Sequence, residues 1–319
     1  MKRLLLALPV LFLVAGCGSE LDVAGSAELS VQARSALDVL PADAVVVASL
    51  DVENARTSGL IDRAFGNSTL PDAGVGNEYE EFVRVTGFDP EEDIENVYAA
   101  GQPNQVDLVV YAALERSRLV EFLNARVGSG DLTQDTYRSV PIYVSTEGSP
   151  DGAKRMHLAL ANDQMILASS SRQSIDAMID RLNGAGAALS SNVELLDLID
   201  QVAHPEGAWV VANNAFATLE GLPSDAPDFS RLIEDIVAAT GFERNGVDVN
   251  TRLITAPDAS ADDVADLIKG ALAGIKSQPD LDAEALALLD AVEVSAGNGR
   301  VDIDVFVSQS MLDTLNEAR

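Results

Sequence analysis

The feature that most constrains the fold is an alternating pattern near the end of the chain. Residues 301–307 place valine or isoleucine at every second position, with Asp302, Asp304 and Phe306 between them. A period of two is that of a β-strand, whose successive side chains point to opposite faces. A second apolar segment at 292–295 precedes it across a Gly-Asn-Gly sequence, which predicts a hairpin. The polar positions favour an antiparallel sheet with one solvated face.

Comparable patterns predict further strands and helices. Hairpins are predicted at 97–100 with 107–114 and at 156–161 with 164–168, and single strands at 44–50, 140–146, 208–212 and 247–255. The first single strand is a continuous valine-rich run, which is typical of a strand buried on both faces. Capping residues and helical spacing predict helices at 29–40, 52–65, 78–86, 116–127, 171–182, 192–202, 230–240, 262–275, 282–289 and around Met311, Leu312 and Leu315.

This order of elements predicts an α+β protein made of two related units of mainly antiparallel sheet, with helices packed on one face. The Thr-Gly-Phe sequences at 86–88 and 240–242 suggest that the units are related. Each is interpreted as a helix end that glycine closes in the left-handed conformation. We expect a signal peptide over 1–16, a flexible tether over 17–29, a first α+β domain over 30–204 and a second over 205–319.

The start of the chain carries a targeting signal. Lys2 and Arg3 precede an apolar run over 4–15, which ends in Gly16 and in Cys17, the one cysteine of the sequence. These are the features of a secretory signal, and the run is shorter than the roughly 20 residues that cross a bilayer. Residues 14–17, Val-Ala-Gly-Cys, resemble the lipobox of bacterial lipoproteins. An ordinary secretory signal with a chance cysteine is the alternative.

The resemblance implies a lipid anchor. In bacterial lipoproteins the cysteine thiol receives a diacylglycerol, the chain is cut before that cysteine, and the new amino group is acylated by a fatty acid such as palmitate. Carried over, Cys17 becomes the lipidated first residue. Each buried methylene contributes about 0.8 kcal/mol, so several acyl chains hold the protein at the membrane. Gly18 and Ser19, with no aspartate next to the cysteine, favour the outer membrane if the host has two membranes.

The charge of the chain limits its partners. Asp and Glu number 51 against 21 Lys and Arg, which gives a formal net charge of −30. Nucleic acid is excluded as a partner because its binding requires a basic face. The dispersed acids and the scarcity of lysine indicate adaptation to high salt, where screening removes self-repulsion. An ordinary acidic protein is the alternative. Hydrophobic residues make up 47% of the chain, which excludes a disordered polyanion.

Candidate chemical groups are sparse. His157 and His204 are the only histidines, and neither has a partner at metal or catalytic spacing, so both are interpreted as ordinary surface or helix-end residues. Ser171 or a neighbour is interpreted as a helix N-cap rather than a nucleophile. The glycine pairs at 128–130, 184–186 and 297–299 fit turns and lack a phosphate-binding lysine. Trp209, in a valine-flanked strand, is predicted to pack in the core.

Acidic residues cluster at two predicted helix starts. One cluster lies within 258–266 and consists of Asp258, Asp262, Asp263 and Asp266; the other consists of Asp280, Asp282 and Glu284. Acids favour the positive end of a helix dipole, so caps are the simpler interpretation. Calcium, which takes several oxygen ligands, is the functional alternative, although the spacing of a helix–loop–helix calcium loop is missing. We predict no cofactor and no metal ligand.

These observations favour a non-enzymatic lipoprotein of the cell envelope, a binding or assembly module with an envelope protein or a small ligand as its partner. The alternatives are a lipid-anchored hydrolase that uses a carboxylate pair, whose spacing is invisible in sequence, and a structural spacer. Residues 40–43, Leu-Pro-Ala-Asp, lead into a predicted buried strand and resemble those of uncharacterised bacterial exported proteins. That resemblance implies no activity.

Overall fold

The structure is a computed structural model that describes residues 29–58, 75–103, 105–145, 155–214, 231–243, 245–279, 281 and 283–312. The predicted signal peptide, Cys17, nearly all of the predicted tether and the end of the last predicted helix lie outside the described residues. Two compact units divide the chain, and their described parts comprise residues 29–53 with 75–193, and residues 54–58 with 194–312. We call them the first unit and the second unit.

The helices are α1 Val31–Leu37, α2 Val52–Thr57, α3 Val75–Thr86, α4 Pro90–Asp93, α5 Arg116–Ser129, α6 Arg172–Leu182, α7 Val193–Ile199, α8 Ala261–Lys276 and α9 Ala283–Asp290. The strands are β1 Val46–Asp51, β2 Ile94–Gln102, β3 Gln105–Ala112, β4 Leu132–Tyr137, β5 Val140–Ser145, β6 His157–Leu160, β7 Met165–Ser169, β8 Ala208–Ala212, β9 Ile233–Glu243, β10 Gly246–Thr255, β11 Glu293–Gly297 and β12 Arg300–Ser308. The predicted α+β class is confirmed.

The first unit is an antiparallel sheet in the order β1-β2-β3-β7-β6-β5-β4. Both hairpins predicted from flanking turns, β2–β3 and β6–β7, are confirmed. Helix α6 begins at Ser171, whose hydroxyl accepts from the amide of Ser174, as the capping pattern predicts. Its apolar stripe is fully buried: Ile175, Met178 and Ile179 each have 0% exposure. The helix therefore supplies one side of the core.

The second unit is an antiparallel sheet in the order β11-β12-β10-β9-β8. The β11–β12 hairpin is confirmed, and Asn298 and Gly299 both have positive φ (52° and 73°), which suits a two-residue turn between twisted strands. Val301 and Ile303 are buried and pack with Val264 of α8 and Leu253 of β10. The predicted period of two therefore orients an apolar face toward helix α8.

The helix predicted at 230–240 is wrong, because Ile233–Glu243 forms the strand β9. Apolar residues at 232, 233, 236 and 239 fit helical spacing, which explains the error. The segment instead pairs with β8 on one side and with β10 on the other. Val237, Ala238 and Ala239 are each 3% exposed, so both faces of the strand are covered. Pairing with two neighbouring strands outweighs a weak local preference.

The repeated Thr-Gly-Phe sequence has two different conformations. Gly87 closes helix α3 with φ +67°, and Phe88 packs back on Phe82 with ring centroids 6.1 Å apart, as predicted. Gly241 instead lies inside strand β9, opposite Asp248. The predicted second helix end is therefore wrong, and this sequence no longer supports a relation between the units.

Two strands of the first unit depart from expectation. Strand β1, predicted to be buried on both faces, alternates: Val47 and Ser49 are buried, whereas Val46 and Ala48 are only half-buried. Strand β4 was not predicted, because its sequence is mostly polar and its middle positions are exposed. It pairs with β5, and the Tyr137 hydroxyl donates to Asp180 of α6 at 3.1 Å.

No helix in the described part of the chain has both the length and the apolar character that a membrane crossing requires.

Candidate functional site

The candidate site is the polar face of the sheet in the second unit, and we call it the polar sheet face. Residues that lie directly opposite each other in an antiparallel pair share one face. Asn250 of β10 is opposite Asp304 of β12, and Arg252 is opposite Asp302. Asp248, two residues before Asn250, lies on the same face. The polar sheet face therefore consists of Asp248, Asn250, Arg252, Asp302 and Asp304.

Most charges on this face have partners across the strands. Asp302 is held between two arginines: the Nε of Arg252 lies 2.8 Å from its Oδ1, and the Nε of Arg300 lies 3.0 Å from its Oδ2. The side chain of Asp302 is 23% exposed, so this face is partly covered rather than freely solvated as predicted. A carboxylate that accepts from two guanidinium groups is an ordered anchor between neighbouring strands.

Asp304 differs because it has no arginine partner in the described structure. Its Oδ1 accepts from the Nδ2 of Asn250 at 3.2 Å. Burial raises the pKa of Asp304, the charges of Asp302, Asp248 and Glu293 raise it further, and the Asn250 hydrogen bond opposes this shift. The carboxyl group therefore takes up a proton more readily than a solvated aspartate does.

His204 contacts the same face from the turn that precedes β8. Its Nε2 lies 3.0 Å from the Oδ2 of Asp248, and its Nδ1 lies 3.4 Å from the Oε1 of Glu206. The hydrogen bond with Asp248 raises the pKa of His204 most, burial lowers it, and the charges of Asp248 and Glu206 raise it further. His204, interpreted as an ordinary surface or helix-end residue, lies in the turn after helix α7, but its side chain is only 20% exposed and both ring nitrogens contact carboxylates.

Among the described groups, Asp235 on β9 is a second carboxyl whose pKa is raised. Burial raises its pKa, as do the charges of Glu234 and Glu194, while the backbone amide of Asn214 donates to it at 3.1 Å. Asp304 is not among the groups that shift Asp235. The two carboxyls with raised pKa values, Asp235 and Asp304, therefore belong to separate clusters and do not form an acid–base pair.

The first unit holds a buried polar cluster that sequence reasoning missed. Asp107 on β3 is 1% exposed, and its carboxylate accepts from Ser169 Oγ at 2.6 Å and from Ser174 Oγ at 2.7 Å. Gln105 Nε2 donates to the same carboxylate at 3.1 Å. The available signal was a lone aspartate inside the apolar strand that was predicted at 107–114. The cluster joins β3 and β7 to the first turn of α6.

The first unit also has an open depression of about 800 Å³. Its lining includes the carboxyl-bearing Asp93, Glu115 and Asp163, together with Asn162 and Gln164. Glu115 is already paired, because its Oε2 lies 2.9 Å from the Nε of Arg118. Asp93 accepts from the backbone amide of Asp89 at 2.7 Å. Asp93 and Glu115 are therefore occupied by contacts in their own helix starts.

The remaining candidate residues from the sequence lie in the core, on a strand or at a helix start. Trp209 is 4% exposed and lies in the core, as predicted. His157 lies half-buried on β6. Helix α8 has Ser260 as its N-cap, with Asp262 and Asp263 in its first turn, as the cap interpretation predicts. Of the second acidic cluster, Asp280, Asp282 and the Glu284 side chain lie outside the described residues. Within the described ranges, no three His, Cys, Asp or Glu side chains converge as metal ligands would.

The fold and the polar sheet face define an α+β protein of antiparallel sheets. The chain belongs to the family described as "Protein of unknown function (DUF3352)", whose pattern matches residues 80–289. That match includes parts of both units, among them His204, Asp235 and Asp248. Asp302 and Asp304 lie beyond the matched residues.

Among solved structures, the chain is similar to crystal form I of TP0453, at 11% identity and a TM-score of 0.52 over 92% of this chain and 98% of that one. Crystal form III of TP0453 also has a TM-score of 0.52 and 11% identity, over 88% and 97% of the two chains. At this identity the similarity concerns the fold. A search of curated proteins finds no match.

Proposed function

We propose that this chain is a lipid-anchored protein of the bacterial cell envelope and that it acts as a non-enzymatic binding or assembly module. The observation that carries the proposal is the leader: a basic start, an apolar run over 4–15, and Gly16 followed by Cys17. The lipid on Cys17 is the membrane contact. In a host with two membranes we place the protein at the outer one, since no aspartate follows the cysteine.

The charge of the body supports anchoring by lipid. A chain with a formal net charge of −30 is repelled by anionic headgroups. One acyl chain gives only marginal, reversible binding, so stable attachment needs two or more chains. A triacylated or diacylated Cys17 meets that requirement without any basic patch.

The pairing of charges in the body supports the non-enzymatic part of the proposal. His204 contacts Asp248 and Glu206, Asp302 contacts Arg252 and Arg300, and Asp107 accepts from two serines. Groups held this way stabilise a scaffold, whereas an activated nucleophile needs a base beside it and access to a substrate. The partner that we expect is an envelope protein or a small ligand.

Anchoring is tested in the producing organism with three forms of the full chain: wild type, Cys17→Ser and Ser19→Ala as the matched control. We expect wild type and Ser19→Ala in the membrane fraction, with mass spectrometry giving a lipidated Cys17 as the first residue. Cys17→Ser should lose the lipid mass and leave the membrane fraction. Equal soluble export of wild type and Cys17→Ser would refute the anchor.

The binding role is tested by crosslinking in intact cells, followed by purification of the anchored chain. We expect a defined envelope partner that is recovered with wild type and depleted with Cys17→Ser at equal expression. Turnover of a defined substrate by the purified chain would overturn the non-enzymatic assignment.

One observation favours the hydrolase alternative: the raised pKa of Asp304, with ionisable Asp302 and Asp248 beside it. A protonated carboxyl next to an ionised one is the arrangement of a general acid and its partner. The test compares Asp304→Asn with Asp163→Asn as the control in assays of ester and glycoside hydrolysis. Activity that is lost in the first variant and kept in the second would replace the binding role.

A further inference from the structure

The turn that carries His204 is docked tightly on the sheet of the second unit. The backbone amide of Gly207 donates to the carbonyl of His204 at 3.1 Å, which closes the turn between α7 and β8. A Cβ at Gly207 would lie 1.8 Å from the carbonyl oxygen of Thr240, so the turn backbone lies directly against β9. Asn54 Nδ2 donates to the carbonyl of Glu206 at 2.8 Å and holds the turn from the side of α2.

The His204 ring is the contact between this turn and strand β10. It lies over Gly241, where a Cβ would approach the ring atoms to 3.0 Å, so β9 contributes no side chain at this position. Beyond Gly241, the Nε2 of the ring lies 3.0 Å from the Oδ2 of Asp248. On the other side, the Nδ1 lies 3.4 Å from the Oε1 of Glu206. Each ring nitrogen therefore has its own carboxylate.

The two carboxylates distinguish the two protonation states of the ring. A neutral imidazole has one N–H and can donate to one carboxylate only, whereas an imidazolium donates through both nitrogens. When the ring is neutral, the second nitrogen turns a lone pair toward an acceptor oxygen, and the ring no longer offsets the charges of Asp248 and Glu206. The docked geometry is therefore complete only with a protonated His204.

We propose that His204 is a pH-operated latch, which holds the turn over residues 200–207 on strands β9 and β10 when it is protonated and releases that turn when it loses its proton. The charged groups that act on it are Asp248 from β10 and Glu206 from its own turn. Asp304 on β12 acts on the latch through its interaction with Asp248. The latch depends on the fold of the second unit and not on the lipid on Cys17.

The direction of the switch follows from linkage. The pKa of His204 in the folded protein is raised above the ordinary 6.5, so the folded state binds the proton more tightly than the open state does. The stabilisation of the docked turn by protonated His204 is therefore complete below pH 6.5. It is lost as the pH rises through the raised pKa. Each pH unit by which the His204 pKa is raised above 6.5 corresponds to about a tenfold change in the equilibrium constant for opening of the turn. This change takes place as the pH rises from 6.5 through the raised pKa.

The chain is well suited to a direct test because it has two histidines. In the full chain, purified in detergent with histidine-selective ¹³C labelling, the imidazole resonances are followed as the pH is varied, and His157→Gln identifies the resonance of His204. We expect His204 to titrate above pH 6.5. Amide exchange over 200–207, corrected for its intrinsic pH dependence, should accelerate about tenfold for each pH unit by which the His204 pKa exceeds 6.5. Amides of α6 in the first unit serve as the internal control.

Two charge-removing variants complete the experiment. Asp248→Asn keeps the side-chain shape, and Glu206→Gln changes a largely exposed group, so at least one of them should fold normally. Both are expected to lower the pKa of His204, with the larger shift for Asp248→Asn because its contact is shorter. A His204 pKa at or below 6.5, or exchange over 200–207 that does not change across the titration, would overturn the latch.

Discussion

The two units hold polar side chains inside their sheets in different ways. In the first unit the buried carboxylate of Asp107 accepts from the hydroxyls of Ser169 and Ser174. In the second unit the carboxylate of Asp248 contacts the ring of His204, and Asp304 is held by the amide of Asn250. Hydroxyl donors keep their protons at all relevant pH values, whereas histidine changes charge near neutrality.

This difference indicates where sensitivity to pH should reside. A network whose donors do not titrate near neutrality stabilises the first unit equally at pH 6 and pH 9. A contact that needs an imidazolium stabilises the second unit only while His204 is protonated. The two units should therefore respond differently to buried substitutions and to pH, whereas substitutions at their serine helix caps should have the same effect in both.

The largest effect is expected in the first unit from Asp107→Ala. Ser169 and Ser174 are 0% and 7% exposed and would lose their acceptor inside the core. Breaking a buried, fully hydrogen-bonded network costs about 4 kcal/mol of unfolding free energy. Denaturant unfolding measures the loss, with the loop variant Asp163→Ala as the control. A loss below about 1 kcal/mol would show that the cluster is not an anchor.

The next largest effect is expected in the second unit, from Gly207→Ala. The added methyl group overlaps the Thr240 carbonyl, and the strain should cost about 3 kcal/mol. Gly274→Ala is the matched control: it lies in helix α8 with no atom within 4 Å of a Cβ, so it should stabilise by about 1 kcal/mol. Equal signs for the two substitutions would contradict the docked turn.

A smaller effect is expected from pH, because, among the described residues, only the second unit has a stabilising contact that depends on a protonated histidine. Between pH 6 and pH 9 wild type should lose about 1 kcal/mol more stability than His204→Gln, which is the order of the net contribution of one hydrogen bond. His157→Gln, at the other histidine, serves as the control substitution. Denaturant midpoints measured at each pH supply the comparison, and parallel curves for wild type and His204→Gln would remove the difference between the units.

An effect of similar size is expected at one serine helix cap in each unit. Ser171 caps α6 in the first unit and Ser260 caps α8 in the second, and each hydroxyl accepts from the amide three residues on at 3.4 Å. Replacing either serine by alanine should cost about 1 kcal/mol, independent of pH. Thermal unfolding of both variants checks this. A pH-dependent loss at Ser260 alone would mean that the acids of the first turn of α8, and not the cap, stabilise it.

Much of the fold was predictable where one local signal dominates. The β11–β12 hairpin follows from alternation and an Asn-Gly turn, and helix α6 follows from its Ser171 cap and apolar stripe. The strand β9 was not predictable, because Ile233, Ile236 and Val237 suit either period. Strand β4 has almost no apolar signal, and the side chain of its Tyr137 donates to Asp180 across the fold.

The candidate site was less accessible to sequence reasoning than the fold. His204, Asp248 and Asp304 are separated by 44 and 56 residues, and their contacts depend on the registers of β9, β10 and β12. Asp107 was visible as a lone aspartate in an apolar strand, but its serine donors lie 62 and 67 residues away. No spacing rule joins such residues.

By itself, the sequence determined the α+β class, the hairpin turns, the helix caps and the acidic surface, because each depends on neighbouring residues or on composition. Only the tertiary structure decided that 233–243 is a strand, that Asp107 is buried beside two serines, and that both nitrogens of His204 contact carboxylates. The physical reason is that strand pairing, burial and the protonation of a side chain depend on groups brought together by folding, and no local pattern records them.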